Sequence, residues 1–367
     1  MEQEKIYQVA LSMVPGIGNV LAKSLISYCG SASAVFKSRL TQLARIPGIG
    51  RYHAESILSF REFDQAAISL EHCRERGIQV LFYMDPAYPK RLKQTPDGPS
   101  VVYFKGNGAL QAGKVVAIVG TRSCTQYGKM VTEQLINDLV PHAAMVVSGL
   151  AYGIDITAHR AALQAGLATV AVLANGVDII YPGSHRAEAA ALQEKGGLIS
   201  EYKPGVKPEA HFFPARNRII AGMADLTIVV EAAEKGGALI TAELANSYDR
   251  EVFAVPGNVD RKFSRGCNRL IARHKAHIIG SVADLEYIMN WEPGTQATAG
   301  TGEIDLSELS HPEQEVVRSM LQQETAVGID DLSWKSQVPL NRLASILLNL
   351  ELRGLVKSMP GRKYKIV

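Results

Sequence analysis

The sequence predicts an α/β protein built around a doubly wound parallel sheet, and three observations predict it. Short, continuous apolar runs recur at 115–119, 145–147, 169–173 and 226–230. Each leads into a glycine-containing turn: Gly120-Thr121-Arg122, Ser148-Gly149-Leu150, Asn175-Gly176-Val177 and Lys235-Gly236-Gly237. Helical patterns follow, near Tyr127, through His159 and from about Thr241. Buried strands alternating with helices mark crossover units on a parallel sheet, whose ligands bind beyond the carboxyl ends of the strands. All four turns are therefore expected on one edge.

Residues 1–78 come first and read as helical. The tetrapeptide Pro15-Gly16-Ile17-Gly18 returns as Pro47-Gly48-Ile49-Gly50, each time leading into a helical pattern. Such a turn exposes backbone N–H groups at a helix start, which suits DNA phosphates without reading sequence. The segment resembles tandem helix-hairpin-helix units, with Lys23, Arg45 and Arg51 placed to assist. Tight turns in a compact helical domain account for the glycines equally well. A helix over 63–76 and a strand over 79–82 lead to Tyr88-Pro89-Lys90-Arg91-Leu92, the entry to the core.

In the core, the first turn offers the Gly120 backbone and Arg122, and the second offers Ser148 and Gly149 with Asp155 and His159 behind. After Tyr181-Pro182, His185 and Arg186 extend a positive rim. The richest stretch is 212–257. Arg216-Asn217-Arg218 supplies two guanidinium forks suited to bidentate phosphate contacts. Lys235 and Gly236 sit where free N–H groups and a helix start attract anions. Phe213, or Phe212 beside it, offers a ring on which a base stacks, while core packing claims at least one of the two. No turn reads GxGxxG or GxxxxGK[ST], so a dinucleotide or nucleoside-triphosphate site is not supported.

Residues 261–275 carry Arg261, Lys262, Arg265, Arg269, Arg273 and Lys275 with no acidic residue. An ordinary surface mixes its charges, so this run reads as a nucleic-acid contact or an approach field. Leu270, Ile271, Ile278 and Ile279 lie among these charges and predict a self-complementary patch. A two-fold homodimer through Leu270 and Ile271 is expected, although a buried core helix gives the same pattern. Residues 291–309 are small and polar, the profile of a flexible linker. From 310 to 367, three helical patterns precede two strand-like runs around Pro360-Gly361, an order that resembles a winged helix. Leu343, Ile346, Leu347, Leu350 and Leu352 dominate its third helix. A protein-contact or regulatory role is expected there, ahead of phosphate contact from Lys357, Arg362 and Lys363.

A length of 367 residues fits two or three domains at roughly 100–200 residues each. The net charge of +3 is too small to indicate nucleic acid by itself, so the distribution of charge decides. Cys29, Cys73, Cys124 and Cys267 are scattered without a CxxC pair, which argues for a reduced, cytoplasmic setting and against a zinc site or disulfide framework. No apolar run reaches the roughly 18 residues of a membrane span, and the N-terminus lacks a signal-peptide pattern. No cofactor and no metal are expected.

In order along residues 80 to 280, VGTR, SGLAYGID, ANGVDIIYP, ISEY, FPARNRIIAG, EAAEKGGALITA, FAVPG and GCNRLI resemble the DNA-processing protein A family (DprA/Smf). The resemblance implies an extended Rossmann-like core that binds single-stranded DNA and helps load the RecA recombinase during natural transformation. It implies no established catalysis. It also places GCNRLI in a region tied to dimer formation, with Cys267 where a small residue or threonine is more usual.

The expected architecture is a helix-hairpin-helix-like domain at 1–78, a Rossmann-like DNA-binding core at 79–290, a linker at 291–309 and a winged-helix-like domain at 310–367. The expected DNA contacts are Gly120, Arg122, Ser148, Gly149, His185, Arg186, Phe213, Arg216, Asn217, Arg218, Lys235 and Gly236. The expected partners are single-stranded DNA, RecA recombinase, single-strand-binding protein and a second copy of the chain. Two alternatives stay open. A nucleotide-binding or nucleotide-hydrolysing enzyme of related fold would draw on Glu231, Glu243 or Asp155. A regulator acting through the winged helix would leave the core without a purpose. His159 and His185 have no serine or cysteine at a recognisable nucleophile elbow.

Overall fold

A computed structural model describes residues 2–292, 309–321, 327–336, 338–353, 355–359 and 363–366. The linker expected at 291–309 falls almost wholly outside these residues, as do the turn at Pro360-Gly361 and Arg362. The chain divides into two compact units, Met1–Gln296 and Ala297–Val367.

The larger unit holds a nine-stranded sheet in the order β1-β2-β6-β5-β4-β3-β7-β8-β9. Its strands are β1 (Gln79–Phe82), β2 (Val101–Lys105), β3 (Val115–Val119), β4 (Met145–Ser148), β5 (Thr169–Val172), β6 (Gly197–Ser200), β7 (Leu226–Val229), β8 (Glu251–Ala254) and β9 (His277–Ile278). Strands β3 to β9 pair in parallel. β1 and β2 add an antiparallel edge beside β6. β2 runs into Gly106-Asn107-Gly108 but no helix follows before β3, so the strand–helix alternation does not mark it and its pairing is antiparallel.

The parallel strands are apolar throughout because both faces are covered. Val115, Ala117 and Val119 point into one core, while Val116 and Ile118 point into the other. Burying one such side chain contributes roughly 1.5–3 kcal/mol. Helices Gln126–Asp138, Ile154–Gln164 and Val282–Met289 close the second face. Helices Arg186–Lys195, Phe212–Met223, Gly237–Ser247 and Arg265–Ala272 close the first. The chain builds β3 to β6 outward in one direction, then returns to lay β7 on the other side of β3. That reversal opens a crevice between the carboxyl ends of β3 and β7, where open α/β sheets bind ligands.

The N-terminal helices share the first core: Val9, Leu11, Leu25 and Ile57 belong to the same cluster as the sheet residues. The two repeated turns fold alike, with Gly16 at φ +82° and Gly48 at φ +83°, a region that favours glycine. Ile17 and Ile49 inside the turns are buried, and helices Asn19–Cys29 and Gly50–Ser59 follow.

The smaller unit has helices His311–Leu321, Ile329–Ser336 and Leu340–Leu352 against strands β10 (Val327–Gly328), β11 (Val356–Met359) and β12 (Lys363–Ile366), ordered β10-β12-β11. Leu343, Leu347 and Leu350 are fully buried against Val316, Val317 and Leu332. Glu313 accepts from the Ser310 N–H and hydroxyl at 2.8 and 2.7 Å and fixes the start of the first helix. No described helix is long and apolar enough to cross a membrane.

Candidate nucleic-acid interface

The crevice at the β3/β7 reversal is a cleft of about 1360 Å³. The Gly120-Thr121-Arg122 turn forms one wall, and helix Phe212–Met223 forms another. Lys235 and Gly236, at the N-terminus of helix Gly237–Ser247, form a third. Arg122 is exposed, and its guanidinium stands 5.3 Å from the centre of the Phe213 ring. Tyr181 meets the same ring, with centroids 5.7 Å apart and planes tilted by 54°. The cleft thus holds a cation–π pair, aromatic faces and the unsatisfied N–H groups of a helix start.

Beneath the cleft lies a buried bracket. Arg216 is only 4% exposed. It donates to Gly149 O at 2.8 Å, to Val172 O, and through Nε to Asn217 Oδ1 at 3.2 Å. These bonds tie helix Phe212–Met223 to the ends of β4 and β5. Gly149 is required by this close approach: a β-carbon there would sit 2.5 Å from Arg216 Nη2 and 2.6 Å from Asp155 Oδ2. Burial raises the Asp155 carboxyl above its usual range, while Arg216 opposes that rise. Burial lowers Arg216 to about 10, which leaves it charged at neutral pH.

Neighbouring polar residues also serve the scaffold. Ser148 is fully buried and its hydroxyl donates to Ile118 O at 2.6 Å. Asn217 donates to Gly237 O at 3.1 Å. His185 is buried with Nδ1 2.9 Å from Leu150 O, bracing a residue held at φ 56°. His159 is fully buried, with Nδ1 2.7 Å from Thr169 Oγ1. Burial pushes it down to about 3 and keeps it neutral. Arg218 donates to Asp97 O at 2.6 Å and to the Glu201 carboxylate. Burial pushes Glu201 upward, and Arg218 pulls it back.

The structure therefore divides the expected contact set. Gly120, Arg122, Phe213, Lys235 and Gly236 meet at the cleft, and Arg186 is exposed at the first turn of helix Arg186–Lys195. The side chains of Ser148 and Arg218 are turned inward and Gly149 is packed beneath Arg216, while buried Asn217 lines the cleft floor and buried His185 lines a neighbouring pocket. Arg216 lines the cleft floor while its guanidinium is spent on carbonyl oxygens. Positions 213, 216 and 217 share the face of Phe212–Met223 that lines the cleft, so the partners each side chain finds, and not the helix face, separate their roles; position 218 lies on another face.

Two further expectations change. The basic run at 261–275 is paired with acids in part, Arg261 lying 3.9 Å from Asp260. Arg265 lies 3.8 Å from Glu234, Arg269 donates to Glu234 O, and Lys275 lies 2.7 Å from Glu243. Leu270 is only 6% exposed and belongs to the first core, with Ile271 packed partly against it. Helix Arg265–Ala272 turns Leu270 toward the interior, Ile271 stays half-buried, and Ile278 and Val259 are exposed nearby.

The repeated N-terminal turns also diverge. Asn19 Oδ1 accepts from Ser100 N at 3.0 Å, and half-buried Lys23 donates to Thr95 O at 3.3 Å. Burial lowers the Lys23 pKa. The first hairpin is thus docked on the core, which commits Lys23. The second stays open, with Arg45, Arg51 and Tyr52 exposed and Arg51 paired to Glu55.

Missing from the expected set are Tyr181 in the main cleft, and Tyr152, Lys129 and Arg160 in a second pocket across Arg122. Tyr152 and Tyr181 lie within the glycine-bearing segments themselves, and an aromatic there was the available signal.

The family model for DNA recombination-mediator protein A matches residues 79–290, more than half of the chain. The chain belongs to the DNA recombination-mediator protein A family. The family's winged-helix model, DprA winged helix domain, matches 305–362, and a SAM-like helix-hairpin-helix tandem matches 9–61. Protein Smf of Synechocystis sp. is 32% identical, covering 99% of this chain and 98% of its own. DNA processing protein DprA of Streptococcus pneumoniae is 40% identical over 61% of this chain and 78% of its own. The crystal structure of the Streptococcus pneumoniae protein superposes with TM-score 0.65 at 32% identity, over 79% of this chain and 98% of that one. A Helicobacter pylori structure, described in terms of a single-stranded DNA binding mode, superposes with TM-score 0.53 at 28% identity, over 59% and 97%.

Proposed function

We propose that this family member is a non-enzymatic protein that binds single-stranded DNA in the β3/β7 cleft, shields it and helps load the RecA recombinase on it. The observation that carries the reading is exposed Arg122 paired with half-buried Phe213 in a cleft that a helix N-terminus also lines. Arg122 and Lys235 neutralise phosphates, and the N–H groups at Gly236 add fixed donors. Phe213 and Tyr181 offer faces on which bases stack regardless of sequence. A rigid duplex keeps its bases paired and presents only its backbone to such a cleft. The single-strand binding mode described for the Helicobacter pylori relative supports the same assignment.

The carboxylates that a glycosidic hydrolase needs are engaged elsewhere. Glu231 accepts from Thr125 N and Oγ1 at 2.8 and 2.6 Å and holds the start of helix Gln126–Asp138. Asp155 is buried beside Arg216, and Glu243 pairs with Lys275. Transfer to RecA rests on membership of a recombination-mediator family, and single-strand-binding protein is the competitor to be displaced. A homodimer is part of the proposal, with its face to be sought at half-buried Ile271 and exposed Ile278, since Leu270 is buried.

Fluorescence anisotropy with single- and double-stranded oligonucleotides across a salt series tests the first claim. A clear single-strand preference is expected, and equal affinity for duplex refutes it. Release of free base from a mononucleotide would restore the enzyme reading. Faster RecA assembly on strands coated with single-strand-binding protein checks the loading step.

A further inference from the structure

A second pocket of about 480 Å³ opens on the other side of Arg122 from the main cleft. Arg122 lines both. The second pocket lies between the start of helix Gln126–Asp138, which contributes Lys129, and the first turns of helix Ile154–Gln164, which contribute Thr157 and Arg160. Tyr152, 51% exposed, forms a further wall with Ser184 and His185 beside it. Among the described residues, none of those lining it is acidic.

Tyr152 is held as a platform rather than left loose. Its hydroxyl accepts from Ser184 Oγ at 3.1 Å, and the buried His185 ring meets it edge to face at 4.9 Å, 71° between planes. An exposed aromatic fixed at two points loses little conformational entropy when a flat group covers it. Arg160 is anchored through Glu188 at 2.8 and 2.5 Å yet keeps 55% of its side chain exposed. Lys129 is exposed on the opposite wall. A flat ring with three cations around it and no lining carboxylate matches a nucleotide, with a base for the ring and a phosphate for the charges.

We propose that this pocket takes one nucleotide of the same single strand that occupies the main cleft. Its base stacks on Tyr152, and its phosphate lies between Lys129 and Arg160. The strand crosses Arg122, which touches phosphates on both sides and serves as the ridge between two base platforms, Phe213 and Tyr152. The inference rests on the single-strand reading above and extends its footprint across the β3 and β4 turns.

The test is anisotropy with oligothymidylates of increasing length on the full chain, using Tyr152→Ala, Tyr152→Phe, Lys129→Ala and Phe213→Ala. For strands long enough to reach both platforms, Tyr152→Ala is expected to lose roughly ten-fold in affinity, as for one stacked base. Tyr152→Phe, which keeps the ring, should bind like the parent. Lys129→Ala should lower the salt slope by about one phosphate contact. Short strands confined to the main cleft should bind Tyr152→Ala and the parent equally. Photo-crosslinking with single 5-iodouracil substitutions should label Phe213 and Tyr152 from different positions of one strand. Parent-like binding of long strands by Tyr152→Ala, alongside loss in Phe213→Ala, overturns this inference and leaves the main cleft standing. Failure of the parent to bind any single strand overturns both. Tight binding of thymidine monophosphate, abolished in Tyr152→Ala while strands bind unchanged, assigns the pocket to free nucleotide and overturns the strand path.

Discussion

Arg122 and Arg216 carry the same guanidinium and lie a few ångströms from the same cleft, yet their surroundings give them opposite work. Arg122 is exposed and stacked on Phe213, so its charge is free for an incoming phosphate. Arg122→Ala is expected to weaken binding similarly for unrelated sequences and to lower the salt slope by about one, with folding unchanged. An unaltered slope would make Arg122 structural. His159 supplies a second test at this scale, because it is buried, neutral and lowered to about 3 from an ordinary 6.5. The unfolded chain protonates this histidine near pH 6.5, whereas the folded chain resists. Its contribution to stability is therefore full above that pH and falls as pH drops toward 3, by up to ~1.4 kcal/mol per unit. Urea melts from pH 7 to 4 should show a shallower acid loss in His159→Gln than in the parent. Parallel curves would mean that the imidazole is not shielded from water.

Each strand-end turn acts as a unit with the helix that crosses it. The second turn packs Gly149 beneath the Arg216 guanidinium and Asp155, and helix Phe212–Met223 depends on that contact for its position. Gly149→Ala is expected to push Arg216 off its carbonyl partners and to cost roughly 1–3 kcal/mol through overpacking beside a buried charge pair. Because the same helix carries Phe213, single-strand affinity should fall together with the melting temperature. A stable Gly149→Ala protein with parental affinity would show that the bracket does not position the cleft. Docking of the first N-terminal hairpin through Asn19 and Lys23 works in the same way, since it steadies the segment around Asp97 to which Arg218 is tied.

At the scale of the whole molecule, one apolar cluster runs from Val9 and Leu25 through Val101 and Phe104 to the first face of the sheet. Removing residues 1–78 would expose that face, so such a fragment is expected to aggregate. A fragment ending at Gln296 keeps the larger unit whole. It should melt like the full chain and keep its single-strand preference, as measured by calorimetry and anisotropy. Loss of that preference would move the binding site into the winged-helix unit.

Much of this was legible in the chain itself. The apolar runs at 115–119, 145–147, 169–173 and 226–230 determined parallel strands, because only strands buried on both faces are continuously apolar. The glycine turns determined a common ligand edge, and the two Pro-Gly-Ile-Gly turns determined paired helical hairpins. Sequence also determined which residues carry positive charge. It did not determine which of those charges meet solvent, because exposure depends on partners distant along the chain. Arg216 finds Gly149 O and Val172 O, Arg218 finds Glu201, and the basic run at 261–275 finds Glu234 and Glu243. Leu270 faces the core for the same reason: helical periodicity marks an apolar side without saying what will cover it. Tertiary structure decided that, on one face of Phe212–Met223, Phe213 meets Arg122 while Arg216 is spent on carbonyl oxygens. It also brought Tyr152 and Tyr181 to the same edge as Arg122, since packing against the sheet fixes where each helix face points.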